Sequence, residues 1–206
     1  MLITSSILVL QTDRLVTDSP STLRGFIANL FPDNPLLHHH LNNSDKSGLM
    51  YTYPKVQYKI IDGIPMVLGI EEAKEVVKTI LNIDYLSLKG KKYLVTDKKL
   101  IEQDTDFGIS EDIRSYRFLT PWLALDEESY NRYKKRNPEE RKKQLETIII
   151  GNIISMSKGL EYVITDKLTA KVNVHEVSTS LKGTPMLGFL GTFSINFEIP
   201  DYWGIG

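Results

Sequence analysis

Along the first half of the chain the spacing of apolar side chains switches between a period of two and a period near 3.6. The order of those switches leaves few folds open. Ile3 to Leu10 is dense in β-branched and aliphatic residues and predicts a strand. Ser19-Pro20 supplies an N-cap followed by Pro at the first helical position. Leu23, Phe26, Ile27, Leu30 and Phe31 then recur at helical spacing until Pro32 stops the helix. A polar loop runs to about Gly48. Val56, Tyr58 and Ile60 alternate with Lys55, Gln57 and Lys59, which predicts a strand with one buried and one basic face. Asp62-Gly63 is the favoured two-residue hairpin turn, and Ile64 to Ile70 is the returning strand. Glu71 and Glu72 suit the positive end of a helix, and Ala73, Val76, Val77, Ile80 and Leu81 form its apolar stripe. Lys92 to Ile101 predicts one more strand.

The order βαββαβ is the ferredoxin-like signature. The second half begins like a repeat of it. Tyr116 to Leu125 reads as a strand interrupted by Pro121. Asn137-Pro138-Glu139-Glu140 opens a helix with an N-cap, Pro at N1 and Glu at N3. Leu145, Ile148, Ile149, Ile153 and Met156 form its stripe, and Gly159 is the expected C′ residue. Leu168, Ala170, Val172 and Val174 alternate with polar residues. After Lys182-Gly183 the run Leu187, Phe189, Gly191, Phe193, Ile195, Phe197 and Ile199 does the same, which predicts a long antiparallel hairpin. The expectation is an α+β protein of two tandem ferredoxin-like (RRM-like) domains, 1–105 and 106–206. The second is incomplete at its C-terminus, and about Gln103 to Ser110 joins the two. The open edge of an unfinished second sheet invites a homodimer.

Composition removes several chemistries. The chain has no cysteine among its 206 residues, so thiol nucleophiles, disulfides and Cys-ligated metals are excluded. Lys plus Arg is 25 and Asp plus Glu is 26, a net charge of -1, so nucleic-acid binding has to come from a local patch. No stretch resembles a membrane span or a secretion signal, so no membrane partner is expected and a cytoplasmic protein is the default.

Fold does not give function, so the chemistry is sought in clusters. The first is His38-His39-His40. In extended chain His38 and His40 share one face, and two imidazoles with a pKa near ~6.5 suit paired proton transfer. Such a pair can cleave RNA without metal. One ring takes the proton of a ribose 2′-OH that attacks the adjacent phosphate, and the other protonates the departing 5′ oxygen. An exposed polar loop is the plain alternative. A zinc site completed by His175 or a carboxylate is another.

The second cluster is Arg132, Lys134, Lys135, Arg136, Arg141, Lys142 and Lys143, interleaved with Tyr130 and Tyr133. Cations can hold phosphates and tyrosines can stack on bases, whereas a solvated helix entrance is the bland reading, favoured by Glu139, Glu140 and Glu146. Lys55 and Lys59, with Tyr51 and Tyr53, make a smaller patch that also reads as an ordinary exposed sheet face. The third candidate is the tail Pro200 to Gly206. Its glycines let backbone amides approach a phosphate, and a frayed end is the alternative.

These residues, in their order, resemble a known family. The runs Leu23-Arg24-Gly25-Phe26, Leu36-Leu37-His38-His39-His40 and Tyr53-Pro54-Lys55-Val56-Gln57-Tyr58-Lys59 are similar to CRISPR-associated repeat-RNA endoribonucleases of the type I branch with a histidine pair. The likeness continues through Tyr116-Arg117-Phe118-Leu119-Thr120-Pro121-Trp122, through Gly151 to Gly159, and into Asn196 to Gly206. The resemblance implies a metal-independent, cofactor-free endoribonuclease that cuts CRISPR precursor RNA once within each repeat. The ends would be a 2′,3′-cyclic phosphate and a 5′-hydroxyl. It implies His38 and His40 as the catalytic residues. His39, Lys55, Lys59, Arg132, Lys134, Lys135, Lys158, Gly204 and Gly206 are the expected RNA contacts. Partners would be the repeat RNA and other proteins of a CRISPR interference complex. A non-cleaving RNA-binding relative and a structural subunit are the alternatives. In the family a Lys, a Ser and an Arg-Gly-aromatic-Gly segment follow the Gly-Ile-Gly, whereas this sequence ends at Gly206. Either the sequence is truncated there or this member lacks half of its RNA-contacting loop, in which case Lys55, Lys59 or Lys158 are the candidate donors at the scissile phosphate.

Overall fold

The computed structural model describes residues 1–32, 34–38, 53–181 and 183–205. The chain divides into two compact units, Met1–Asp106 with Pro200–Trp203 and Phe107–Ile199 with Gly204–Gly206.

The first unit runs β1 (Leu2–Thr12), α1 (Pro20–Leu30), α2 (Pro35–His38), β2 (Val56–Ile61), β3 (Ile64–Ile70), α3 (Ala73–Thr79), β4 (Tyr85–Leu88) and β5 (Lys91–Asp106). Its sheet has the order β2-β3-β1-β5-β4, with every pair antiparallel. Without β4 this is the ferredoxin-like arrangement expected from the alternation of periods. The sequence reading passed over β4, a short hairpin arm turned by Lys89 and Gly90, whose φ values are 46° and 79°. The turn at Asp62-Gly63 forms as expected, with φ of 50° and 78°, the left-handed pair that a two-residue hairpin needs.

Leu8 and Leu10 of β1 pack with Leu23 and Ile27 of α1 and with Val76 and Val77 of α3. Ile3 and Ile7 point to the opposite face and are buried too, which explains an unbroken apolar run where a half-exposed strand would alternate. On β2, Val56 enters the core, and Tyr58 and Ile60 pack against it. The other face of β2 is not the open basic surface that alternation suggested: Gln57 is buried and Lys59 half-buried. The stretch expected to be a linker is strand. Gln103 and Thr105 pair with Ser5 and Ile3, and β6 (Gly108–Arg117) begins one residue after β5 ends. A run of polar residues hid a ladder whose partner lies a hundred positions away.

The second unit continues from β6 through α4 (Glu127–Lys135), α5 (Pro138–Gly159), β7 (Ala170–Leu181) and β8 (Thr184–Glu198). Among the described residues its sheet has three strands in the order β6-β8-β7, the ferredoxin-like placement of a βαββ segment. Both units are therefore α+β and ferredoxin-like. The strand expected over Tyr116 to Leu125 lies earlier. β6 ends at Arg117, and beyond Pro121 only an isolated bridge joins Trp122 to Phe189. Asn137 and Glu140 close a capping box: Glu140 N donates to Asn137 Oδ1 at 3.0 Å and Asn137 N donates to Glu140 Oε2 at 3.1 Å. Leu145, Ile149, Ile153 and Met156 are the buried side of α5. The helix does not end with Gly159 in the left-handed position. Glu161 takes it, with φ 58°, while Tyr162 N bonds Ser157 O at 2.9 Å and Glu161 N bonds Lys158 O at 3.2 Å, a Schellman closure.

Candidate nucleic-acid interface

The approach to the histidine run is built from α2. Asn34 caps it, its Oδ1 accepting from Leu36 N at 3.2 Å while its carbonyl accepts from Leu37 N at 3.2 Å. Leu37 is fully buried in the core of the first unit. Tyr58 Oη donates to Leu37 O at 3.4 Å, tying α2 to β2. Burial pushes the Tyr58 phenol well above its ordinary range, against the opposing charge of Arg24, so the hydroxyl keeps the proton it donates. His38 is the last residue of α2. The side chain of His38, and His39, His40 and Tyr51 altogether, lie outside the described residues.

A polar chain occupies the other face of β2. Lys59 Nζ donates to Gln57 Oε1 at 3.1 Å. Gln57 Nε2 donates to Tyr53 Oη at 2.8 Å and to Pro54 O at 3.3 Å. The amide orientation of Gln57 is thereby set, with oxygen toward the cation and nitrogen toward the phenol. Desolvation lowers the Lys59 ammonium to about 8. The Tyr53 phenol is pushed up by burial, opposed by its bond from Gln57. Its ring lies 6.2 Å from that of Trp203, tilted by 31°. Lys55 is engaged elsewhere: Nζ meets Glu72 Oε1 at 2.6 Å, and the hydrogen bond from Lys55 lowers the Glu72 carboxyl. Sequence reasoning singled out the two lysines and missed Gln57, which joins Lys59 to Tyr53. The available signal was its place between two lysines on one strand face.

In the second unit most of the basic cluster is already paired. Arg132 bonds Glu128, and Lys143 Nζ is 3.0 Å from Glu139 Oε1. Arg141 stacks over Tyr133 at 4.9 Å, bonds the carbonyls of Tyr133, Lys134 and Arg136, and lies 3.6 Å from Glu176. Arg136 donates to Gln144 at 3.0 Å. Lys134 stands 4.5 Å over the Tyr130 ring. Lys135 and Lys142 are exposed and make no ion pair with a described residue. Arg141 thus acts as a structural clasp between α4 and α5, and the exposed cations of the cluster that make no ion pair with a described residue are Lys134, Lys135 and Lys142. Lys158 is exposed near the C-terminal end of α5.

The tail is anchored. Trp203 is buried at 8% exposure, and Asn152 Nδ2 donates to Ile205 O at 3.2 Å. Gly204 follows Trp203 in the half-buried tail, and Gly206 lies outside the described residues. Among the described residues no group of three or more His, Cys, Asp or Glu gathers as a metal site would require. His175 is exposed on β7, opposite Leu190.

With this geometry in view, comparison with known proteins is direct. Residues 1–106 match the family model of the Cas6b N-terminal domain and residues 108–206 that of the Cas6b C-terminal domain. The crystal structure of a Cas6b superposes with a TM-score of 0.89 at 34% identity, covering 100% of this chain and 94% of that one. The crystal structure of a CRISPR RNA processing endoribonuclease Cas6b superposes at 0.78 with 32% identity, covering 100% and 93%. An uncharacterized protein of Methanocaldococcus jannaschii, MJ0978, is 42% identical over 128 residues, 62% of this chain and 87% of that protein. Both halves matching in order, the chain belongs to the Cas6b family.

Proposed function

We propose that the protein is an endoribonuclease that processes CRISPR RNA, cutting the precursor within its repeats without a metal ion. The observation that carries the reading is the end-to-end similarity to a solved Cas6b described as a CRISPR RNA processing endoribonuclease. In this reading His38 and His40 transfer the protons. One imidazole accepts the 2′-OH proton as the 2′ oxygen forms a bond to phosphorus. The bond from phosphorus to the 5′ oxygen breaks, and the second imidazole, as imidazolium, protonates that oxygen. The products are a 2′,3′-cyclic phosphate and a 5′-hydroxyl, so no water is consumed in this step. The capped helix α2, held by Leu37 and by the bond from Tyr58, supports the reading because it tethers the backbone entering the histidine run. Lys55, Lys59 and Lys158 are the candidates to stabilise charge on the phosphate, and Lys134 and Lys135 to hold the RNA backbone.

A labelled repeat RNA incubated with the protein in excess EDTA tests this. Cleavage with cyclic-phosphate ends is expected, and His38→Ala or His40→Ala slows the single-turnover rate by about 100-fold or more. Undiminished cleavage by the double variant removes the mechanism. Salt-sensitive retention with no product instead identifies a non-cleaving RNA binder, and no retention at modest salt a structural subunit.

A further inference from the structure

The hairpin of β4 and β5 turns at Lys89-Gly90 and is followed at once by Lys91 and Lys92. The three lysines are exposed, and none makes an ion pair with a described residue. Other lysines of the first unit are held by carboxylates: Lys55 by Glu72, Lys78 by Glu75 and Glu102, and Lys98 by Asp84. Here Lys91 Nζ donates only to Thr17 Oγ1, at 3.3 Å, and Lys92 Nζ stands 4.6 Å over the ring of Tyr85. Lys89 occupies a left-handed position, φ 46°, where a two-residue turn favours Asn, Asp or Gly. A lysine there works against the local rule, and such departures gather where a chain is used. Gly90 has nothing within 4 Å of the point a Cβ would occupy, so the backbone of the tip is open to a ligand.

The tip stands on a fixed base. Asp13 N donates to Leu94 O and Leu94 N donates to Asp13 Oδ1, both at 2.9 Å. Arg14 lies 4.7 Å over the Tyr93 ring, and its Nη2 donates to Lys92 O at 2.6 Å. The carboxylates of the flanking segments are engaged: Asp13 in these bonds and with Arg14, Asp18 by Tyr93 Oη at 3.0 Å, and Asp84 by Lys98. Beside the lysines, Tyr85 is 41% exposed and faces Leu94, 51% exposed, in the strand register. Positive charge and a small apolar step are thus presented together from an ordered turn.

A row of ammonium groups suits a chain with one negative charge per unit, and an exposed ring beside an aliphatic side chain suits a flat base. A protein strand fits less well, because β4 has four residues and lysines along a sheet edge discourage pairing with another strand. We infer that the β4–β5 hairpin is a binding site for single-stranded RNA, with Lys89, Lys91 and Lys92 on phosphates and Tyr85 and Leu94 against a base. The inference rests on the reading of the protein as one that handles RNA, and not on its cutting the strand. β4 lies four strands across the sheet from β2, the strand that Tyr58 ties to α2, which is about 19 Å at the usual spacing. The hairpin therefore holds a stretch of RNA away from the one that meets the histidine run, and its phosphate contacts carry no sequence preference.

Fluorescence anisotropy of the full chain with a labelled, fully 2′-O-methylated single strand tests this. Such a strand keeps its phosphates and lacks the 2′-OH nucleophile, so binding is read independently of cleavage. Lys89→Asn with Lys91→Gln and Lys92→Gln removes three charges while placing a favoured residue in the turn, and a matching thermal midpoint checks the fold. Its affinity is expected to fall by about 10-fold or more, equally for two unrelated sequences. The slope of log affinity against log salt is expected to become shallower by about 2, the share of three phosphates on a single strand. Tyr85→Ala is expected to weaken binding by about 5-fold or more with the salt slope kept. An unchanged slope in the lysine variant overturns the inference, as does wild-type protein that retains no RNA. Unchanged RNA affinity, with a polyglutamate peptide that binds wild type and not the variant, also overturns it and assigns the hairpin to acidic proteins. The expected slope change in a protein that cuts no unmodified RNA supports the hairpin site and removes the cleavage reading.

Discussion

A lysine amine half-buried on β2, with an amide oxygen as its hydrogen-bond partner, is held at about 8 by desolvation. Unfolding returns it to its ordinary value of 10.5. Between these values the unfolded chain binds more protons than the folded one, so the contribution of Lys59 to stability rises with pH through that window. Near and above pH 10 the buried phenols of Tyr53 and Tyr58 oppose the trend, since they stay protonated in the folded state while their unfolded counterparts ionise. The Lys59→Met variant is therefore expected to flatten the rise between about pH 7.5 and 9.5. It is also expected to gain about 1 kcal/mol at pH 7, once partial solvent screening is allowed for. Urea midpoints of both proteins at the two pH values check this, and an unchanged slope contradicts it. At this scale the sequence was half informative. It placed Lys55 and Lys59 on one strand face, but only the fold gave Glu72 to the first and Gln57 to the second.

Elements whose signals are local were legible. The capping residues of α5 lie within four positions of one another, and both reciprocal bonds form. Asn137→Ala is expected to cost about 1 kcal/mol, read as a lower midpoint in thermal or urea denaturation, and Asn137→Ser to recover most of it. The Asp62-Gly63 turn was equally plain, because its two left-handed residues are the ones that tolerate the conformation. Elements set by distant pairing were not. β4 is an edge addition to β5, and the end of β5 is held by the start of β1. Nothing within a dozen residues of Gln103 announces that its partner is Ser5. The end of α5 shows the reverse case. Gly159 is the last residue of α5 as its place predicts, but the left-handed residue is Glu161, where the closing bonds from Glu161 and Tyr162 fall.

At the scale of the molecule, the first unit is not continuous in sequence, since Pro200–Trp203 joins residues from the N-terminal half. Trp203, 8% exposed and against Tyr53, contributes its ring to that unit. Trp203→Ala is expected to destabilise it by about 3 kcal/mol, seen as an earlier unfolding transition in calorimetry. Tyr53→Leu should lose less, because an aliphatic side chain still fills part of the space. An unshifted transition in Trp203→Ala contradicts the assignment of the tail to this unit.

By itself the sequence determined the α+β class, the repeated ferredoxin-like order and the kinship of the chain, because hydrophobic period, caps and turns are properties of neighbouring residues. Tertiary structure alone decided which cations lack an ion-pair partner among the described residues, which polar side chains are joined by hydrogen bonds and where the tail belongs. Those outcomes depend on burial and on partners far apart in the chain, and burial sets both the cost of a charge and the partner it must find.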